Sequence, residues 1–332
     1  MFWIFEKKGT KIMKKVLAVL LCIAMLAGFA ACGTKTESNE NKTYKVGVVQ
    51  LVQHEALDQA TKGFQDALKA ALGDKVTIEV KNASNDSNAC STIVNGFVSS
   101  NVDLIMANAT PALQAAAQAT TTIPILGTSV TEYGVALDIQ DFNGTVGGNI
   151  SGTSDLAPLD KQVEMLLELF PDAKNVGLLY CSAEPNSKYQ IDEVEKFLKA
   201  KGVNTARYPF SDSNDIAAVT TSAAASSDVI YIPTDNTAAS STGVIDGICR
   251  PKQVPVVAGE EGICKGCGVA TLSISYYELG KKTGEMAAKV LKGEEDISTM
   301  AIAYDENYQK KYNTEICKEL GITPPSDYVA IG

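Results

Sequence analysis

The stretch that decides the fold is Lys45-Val46-Gly47-Val48-Val49-Gln50-Leu51-Val52-Gln53-His54-Glu55-Ala56-Leu57, continuing to Leu68. Val46 to Leu51 is a short apolar run, the pattern of a strand buried on both faces. Gln53-His54-Glu55 follows as a polar turn. Leu57, Ala60, Phe64, Ala67, Leu68 and Ala71 then recur at helical spacing, so a helix packs back on the sheet. Strand, turn and helix make the first unit of a parallel α/β layer. In such layers ligands gather at the carboxyl ends of strands, beside helix N-termini with free N–H groups. His54, the chain's single histidine, stands at that point.

The alternation continues outward from this unit. Strands are expected over 76–80, 102–107 and 123–127, with helices between them through Cys90, Ile93, Val94 and Phe97, and over 112–119. Thr110 before Pro111 fits an N-cap followed by proline in the first turn. Residues 141–155 are rich in Gly and Asn and are read as a loop or hinge closing the first lobe. A second series has helices at 159–170, 191–200 and 216–225 and strands at 176–180, 205–210, 229–233, 254–259 and 270–274. A long helix over 276–291, a short strand over 300–303 and a helix over 308–320 complete it. The fold class is therefore α/β, with two open parallel-sheet, Rossmann-like lobes.

Length and charge agree with two lobes and narrow the partners. The 332 residues exceed an ordinary single domain, and 20 % charged with 45 % hydrophobic residues describe a globular chain. Formal net charge is −10; residues 1–31 carry +4, leaving −14 on the remainder. That acidity opposes nucleic-acid binding, which needs a basic stripe. Lys14-Lys15, then an apolar run ending Leu26-Ala27-Gly28-Phe29-Ala30-Ala31-Cys32, resembles a bacterial lipoprotein signal with Cys32 as the acylated residue. Phe29 stands where an aliphatic residue is usual, and Met13 is an alternative start. Residues 1–31 are thus expected to be a signal peptide and 32–43 a polar tether, placing the protein outside the cytoplasmic membrane on a lipid anchor.

Of eight cysteines, six remain beyond Cys32: Cys90, Cys181, Cys249, Cys264, Cys267 and Cys317. Cys264-Lys265-Gly266-Cys267 has metal or redox spacing, but no second pair accompanies it, so no metal is assigned. A local disulfide, a bridge to Cys249, or free buried thiols all fit. Catalytic motifs are missing: there is no G-x-S-x-G, Walker loop or H-E-x-x-H, and one histidine cannot form the usual pairs. Neither an enzyme nor a cofactor is expected.

What recurs is a polar tip at the end of nearly every strand. The tips hold Gln53 and His54; Asn108 and Thr110; Thr128 and Ser129; Asn186 and Ser187; Asp235 and Asn236; and Glu260. Two lobes bearing such tips form a cleft for a small polar molecule. Asp235 is assigned to an ammonium group, Thr110, Ser129 and Asn186 to a carboxylate or polar tail, and His54 to the first-lobe wall. Each tip could instead be a helix cap. Tyr133 and Tyr180 are the best candidates for stacking a sugar or nucleoside.

A resemblance then emerges from the ordered set Val49 to His54, Asn108-Ala109-Thr110-Pro111-Ala112, Asn149-Ile150-Ser151-Gly152 with Ser154-Asp155, Pro171 to Gly177, Asn186-Ser187, Tyr231 to Asn236, and Tyr276-Tyr277-Glu278-Leu279-Gly280. The chain resembles the substrate-binding lipoproteins of ABC transporters, in the family that includes tryptophan- and tyrosine-binding members. Thr131-Glu132-Tyr133-Gly134 departs from the family's usual Asp-Pro turn. The resemblance implies a type I periplasmic-binding fold with three hinge crossings, lobe 1 being 44–155 and 273–295 and lobe 2 being 156–272 and 296–332. It also implies a monomer that binds an amino acid, chiefly an aromatic one, and delivers it to membrane permease subunits. A ligand sensor without a permease, and a sugar- or nucleoside-binding protein, are the rival readings.

Overall fold

The computed structural model describes residues 42–331; the signal, the Cys32 anchor and all of the tether but Lys42 and Thr43 lie outside them. The first sheet is built from β1 (Tyr44–Gln50), β2 (Val76–Asn82), β3 (Leu104–Asn108), β4 (Ile125–Val130), β5 (Ile150–Ser154) and, late in the chain, β11 (Ala303–Tyr304). Its order is β2-β1-β3-β4-β5-β11, parallel throughout. Helices α1 (Glu55–Leu72), α2 (Ser87–Ser99), α3 (Thr110–Ala119) and α4 (Tyr133–Leu137) connect the strands.

The second sheet repeats the plan with β6 (Asn175–Cys181), β7 (Asn204–Phe210), β8 (Val229–Ile232), β9 (Val256–Ala258), β10 (Ala270–Ser273), β12 (Gln309–Asn313) and β13 (Val329–Ile331). The order is β7-β6-β8-β9-β10-β12-β13, with β12 antiparallel to β10. Its helices are α5 (Leu159–Leu169), α6 (Pro185–Ala200), α7 (Ile216–Ser226), α8 (Asn236–Ala239), α9 (Thr242–Cys249) and α10 (Glu261–Cys267). Helix α11 (Tyr276–Lys292) returns to the first lobe, and α12 (Thr314–Glu319) packs on the second. The expected α/β fold of two open parallel lobes is what forms.

Burial on both faces explains the apolar runs. Along β1, Tyr44, Val46 and Val48 enter one core while Val49 and Leu51 enter the other. Helices α1 and α11 pack so closely that a Cβ on Gly63 would strike the carbonyl of Tyr277, and one on Gly280 the carbonyl of Ala60.

Three expectations change, and one open choice among the cysteines is decided. Residues 150–154 are a strand rather than a hinge: Ser151 Oγ donates to Met300 O, and Thr153 Oγ1 pairs with Thr283 Oγ1, so polar side chains are satisfied inside the sheet. Residues 309–313 form β12, not the start of a helix, because that segment pairs with β10. The last return to lobe 2 comes later than residue 296: Ile297 and Met300 sit in the first core, and β11 pairs with β5. Crossings therefore lie at 155–158, 274–275 and 305–308. Finally, Cys90, Cys181, Cys249, Cys264, Cys267 and Cys317 are all free and buried, so of the three cysteine readings the buried thiols are present and the Cys264–Cys267 and Cys249 bridges are not. Burial raises the pKa of each thiol, leaving it a small hydrophobe. No helix among the described residues is long and apolar enough to cross a membrane.

Candidate functional site

The strand order puts the switch point of the first sheet between β1 and β3, and that of the second between β6 and β8. The carboxyl ends of these strands face each other across a cleft. Bonds span it: His54 Nε2 lies 3.3 Å from Asn236 Oδ1, Asn85 Nδ2 donates to Thr237 Oγ1 at 3.0 Å, and Lys265 Nζ meets Glu55 at 2.9 Å. The last is at the exposed rim and contributes little. Between the lobes lies a small cavity of about 10 Å3, room for about one water, so the walls must part to admit a ligand.

Of the sequence-predicted residues, His54, Ser129, Asn186, Asp235, Asn236 and Glu260 line this cavity together. Ser129 gets there by an unusual backbone: φ is +53° within a register shift between β4 and β5. Gln53 is exposed in an outer groove. Asn108 faces α1, donating to Leu57 O and Thr61 Oγ1, and Thr128 joins Thr153 and Thr283 in a buried hydroxyl cluster. Thr110 is buried in the first turn of α3, whose N-cap is Ala109 at φ +91° with no side-chain bond, so the expected threonine cap does not form. Ser187 is buried behind the wall beside Asn186. Tyr133 and Tyr180 both belong to lobe cores, leaving neither to stack a sugar.

The acidic residues divide by role. Asp235 accepts from Cys181 N at 2.6 Å and Ala238 N at 2.8 Å, capping α8. Glu260 accepts from Gly262 N and Ile263 N, capping α10. For both, the helix-cap alternative describes what the oxygens do, which takes Asp235 away from the expected ammonium contact. Glu184, within the polar tip 182–187 but not among the residues assigned from sequence, accepts from Asn236 N, Asn236 Nδ2, Thr237 N and Thr237 Oγ1 at 2.6–3.0 Å and fixes the start of α8. Burial pushes Glu260 up to about 7 and raises Asp235 well above the carboxylate range, with Glu184's charge adding to the latter.

Asp155, at the first crossing, is the main residue that sequence reasoning did not select. Tyr276 Oη donates to its Oδ2 at 2.9 Å, while Oδ1 has no partner within the protein. Burial raises its pKa, opposed first by the Tyr276 bond and then by the neighbouring Thr131 hydroxyl. Its signal was available: an acid directly after a strand, like the other tips, but in a stretch read as a hinge. Thr131, Thr234, Tyr276 and Leu57 complete the lining with Ala239. Four buried polar atoms around this one cavity lack protein partners: His54 Nδ1, Ser129 Oγ, Asp155 Oδ1 and Asn186 Oδ1. Buried polar groups are normally paired, so the four together mark a place for a polar solute. No group of three or more potential metal ligands occurs among the described residues.

A two-lobed α/β clamp with an unpaired polar interior defines the solute-binding class of protein. The profile of the ABC transporter substrate binding proteins matches residues 45–330, and the chain belongs to that family. It is 37 % identical over 295 residues to a tyrosine-binding protein of Clostridioides difficile (strain R20291), covering 86 % of this chain and 85 % of that one. The crystal structure of an ABC domain in complex with L-Trp from Streptococcus pneumonia superposes with a TM-score of 0.82 at 31 % identity, over 86 % of this chain and 97 % of that one. A ligand-free, open substrate-binding protein with adhesive properties from Clostridium difficile gives 0.67 at 37 % identity, over 87 % and 99 %. The higher score to the less identical chain fits the shut cleft seen here, since rigid lobes set at another angle superpose poorly as a pair. These relatives are binding proteins. A leucine binding protein from Thermotoga maritima, at 15 % identity and a TM-score of 0.51, shares the periplasmic-binding fold.

Proposed function

We propose that this protein binds an amino acid, aromatic in side chain, in the cleft between its lobes and passes it to an ABC permease without making or breaking a bond. The observation that carries the reading is the set of four unpaired polar atoms on one cavity: acceptors at Asp155, Asn186 and His54 Nδ1, whose ring turns its Nε2 to Asn236 Oδ1, and a donor at Ser129. An amino acid offers both an ammonium for the acceptors and a carboxylate for Ser129. Leu57, Ala239 and the Tyr276 ring supply apolar wall. The aromatic preference is supported by the tyrosine and L-Trp named for the relatives. Ligand contacts made only when both lobes engage favour the closed state.

A thermal-shift panel of amino acids, nucleosides and sugars tests this, because a ligand that binds only the folded state raises the melting temperature. Tyrosine or tryptophan is expected to give the largest shift. A shift from sugars or nucleosides alone contradicts it.

The address is also proposed: export by residues 1–31, acylation of Cys32, and anchoring to the outer face of the cytoplasmic membrane, with the protein working as a monomer. The motif Leu26 to Cys32 supports it. Replacing Cys32 by Ala is expected to move the protein from the membrane fraction to the medium; retention in the membrane contradicts the anchor.

A further inference from the structure

Given the reading of the cleft as a site for a small polar solute, its charge says which group of that solute is indispensable. Asp155, Glu184, Asp235 and Glu260 are all buried in or directly behind the cavity wall, at 2–6 % exposure. Among the described residues no lysine or arginine lines the cavity, and its one basic side chain is His54, whose protonated form is disfavoured chiefly by burial.

Three of these carboxylates are committed within the second lobe. Asp235, Glu184 and Glu260 accept from backbone N–H groups at the starts of α8 and α10. They neutralise the helix ends that would otherwise favour an anion. The fourth, Asp155, has one oxygen held by Tyr276 and the other unpaired. Asn186 turns its Nδ2 toward Thr234 O and Glu184, at 3.0 and 3.4 Å, which leaves its carbonyl oxygen unpaired.

Two buried acceptors thus line the cleft, one from the hinge and one from the second lobe. A cationic donor group completes both. A ligand carboxylate completes neither, because acceptor would face acceptor; of the lining hydroxyls, that of Ser129 is buried without a partner and can donate to it.

We propose that this cleft requires a primary ammonium, received by Asp155 Oδ1 and Asn186 Oδ1, and can dispense with the ligand's carboxylate, so that decarboxylated amines are ligands alongside amino acids. The side-chain preference belongs to the preceding reading, and the amine requirement stands apart from it.

Calorimetric titration of the purified protein with matched probes tests this. L-Tyrosine is compared with tyramine, which keeps the amine alone, and with 3-(4-hydroxyphenyl)propionate, which keeps the carboxylate alone. Tryptophan with tryptamine and 3-indolepropionate, and leucine with isoamylamine and 4-methylpentanoate, repeat the comparison. Tyramine or tryptamine is expected to bind within about tenfold of its parent, and the deaminated acid at least about thirtyfold more weakly, as loss of a partner to a buried charge implies. Amines that bind while every amino acid fails would overturn the amino-acid reading and uphold the amine requirement. Binding by a deaminated acid at its parent's affinity, or no binding by any amine in the set, overturns the proposal.

Discussion

The hydroxyl of Tyr276 donates to Asp155 Oδ2 at 2.9 Å, tying the first turn of α11 to the first crossing between the lobes. The two residues stand at different hinge strands, and both line the cavity. The bond holds the carboxylate in one orientation and leaves Oδ1 toward the cleft. Hinge geometry and ligand recognition therefore share a side chain.

Tyr276→Phe removes that donor while keeping the ring. A buried carboxylate oxygen losing its partner costs about 1–3 kcal/mol. Ligand affinity is expected to fall roughly tenfold. Because the bond also favours the ionised carboxylate, the pH at which binding fails should move upward in the variant. A pH series of titrations on both proteins reads the two effects together; an unchanged midpoint would mean Tyr276 only fills space.

The contact between α1 and α11 holds the first lobe together through glycines. A side chain at Gly280 meets the backbone carbonyl of Ala60, which no rotamer change relieves. Gly280→Val is expected to destabilise the protein by about 3 kcal/mol or more, beyond the usual range for overpacking, because the obstacle is backbone. Denaturant unfolding measures it. Gly96, with open space around its would-be Cβ, is the control, and Gly96→Ala should be neutral or slightly stabilising.

Glu260, Asp235 and Asp155 have folded-state pKa values raised by burial, to about 7 for Glu260. A raised pKa means the folded state keeps a proton that the unfolded chain has released. The stabilisation is complete below the unfolded carboxylate pKa and is lost as pH rises through the folded one. The melting temperature of the ligand-free protein should therefore fall by a few degrees from about pH 5 to about pH 8. Ligand affinity should move the other way, since an ammonium favours ionised Asp155. Scanning calorimetry and titration across that range check both signs.

Much of this was legible in the sequence, and the exceptions have physical reasons. The apolar run Val46 to Leu51 and the helical spacing after it dictated the first unit, and the repeated pattern dictated the second sheet. Residues 150–154 were missed because Ser151, Gly152 and Ser154 are poor signals for a strand and outnumber Ile150 and Thr153; the hydroxyls of Ser151 and Thr153 are buried only because Met300 O and Thr283 offer partners from distant sequence. Gln309 to Asn313 became a strand through pairing with β10, a contact outside any local window. Among the tips, sequence could not separate a carboxylate that caps a helix from one left free. Asp235 and Asp155 look alike in a row of letters and differ in where their oxygens point.

The most direct measurement is therefore a titration of Asp155→Asn beside the unaltered protein, using whichever of tyrosine or tryptophan binds better. The substitution keeps the shape and the Tyr276 contact but removes the charge. Affinity is expected to fall at least about thirtyfold at neutral pH, with folding stability held or raised because a costly buried carboxylate is gone. Binding within about threefold of the unaltered protein, with a matching melting temperature, would contradict a cleft that closes on an ammonium group at Asp155.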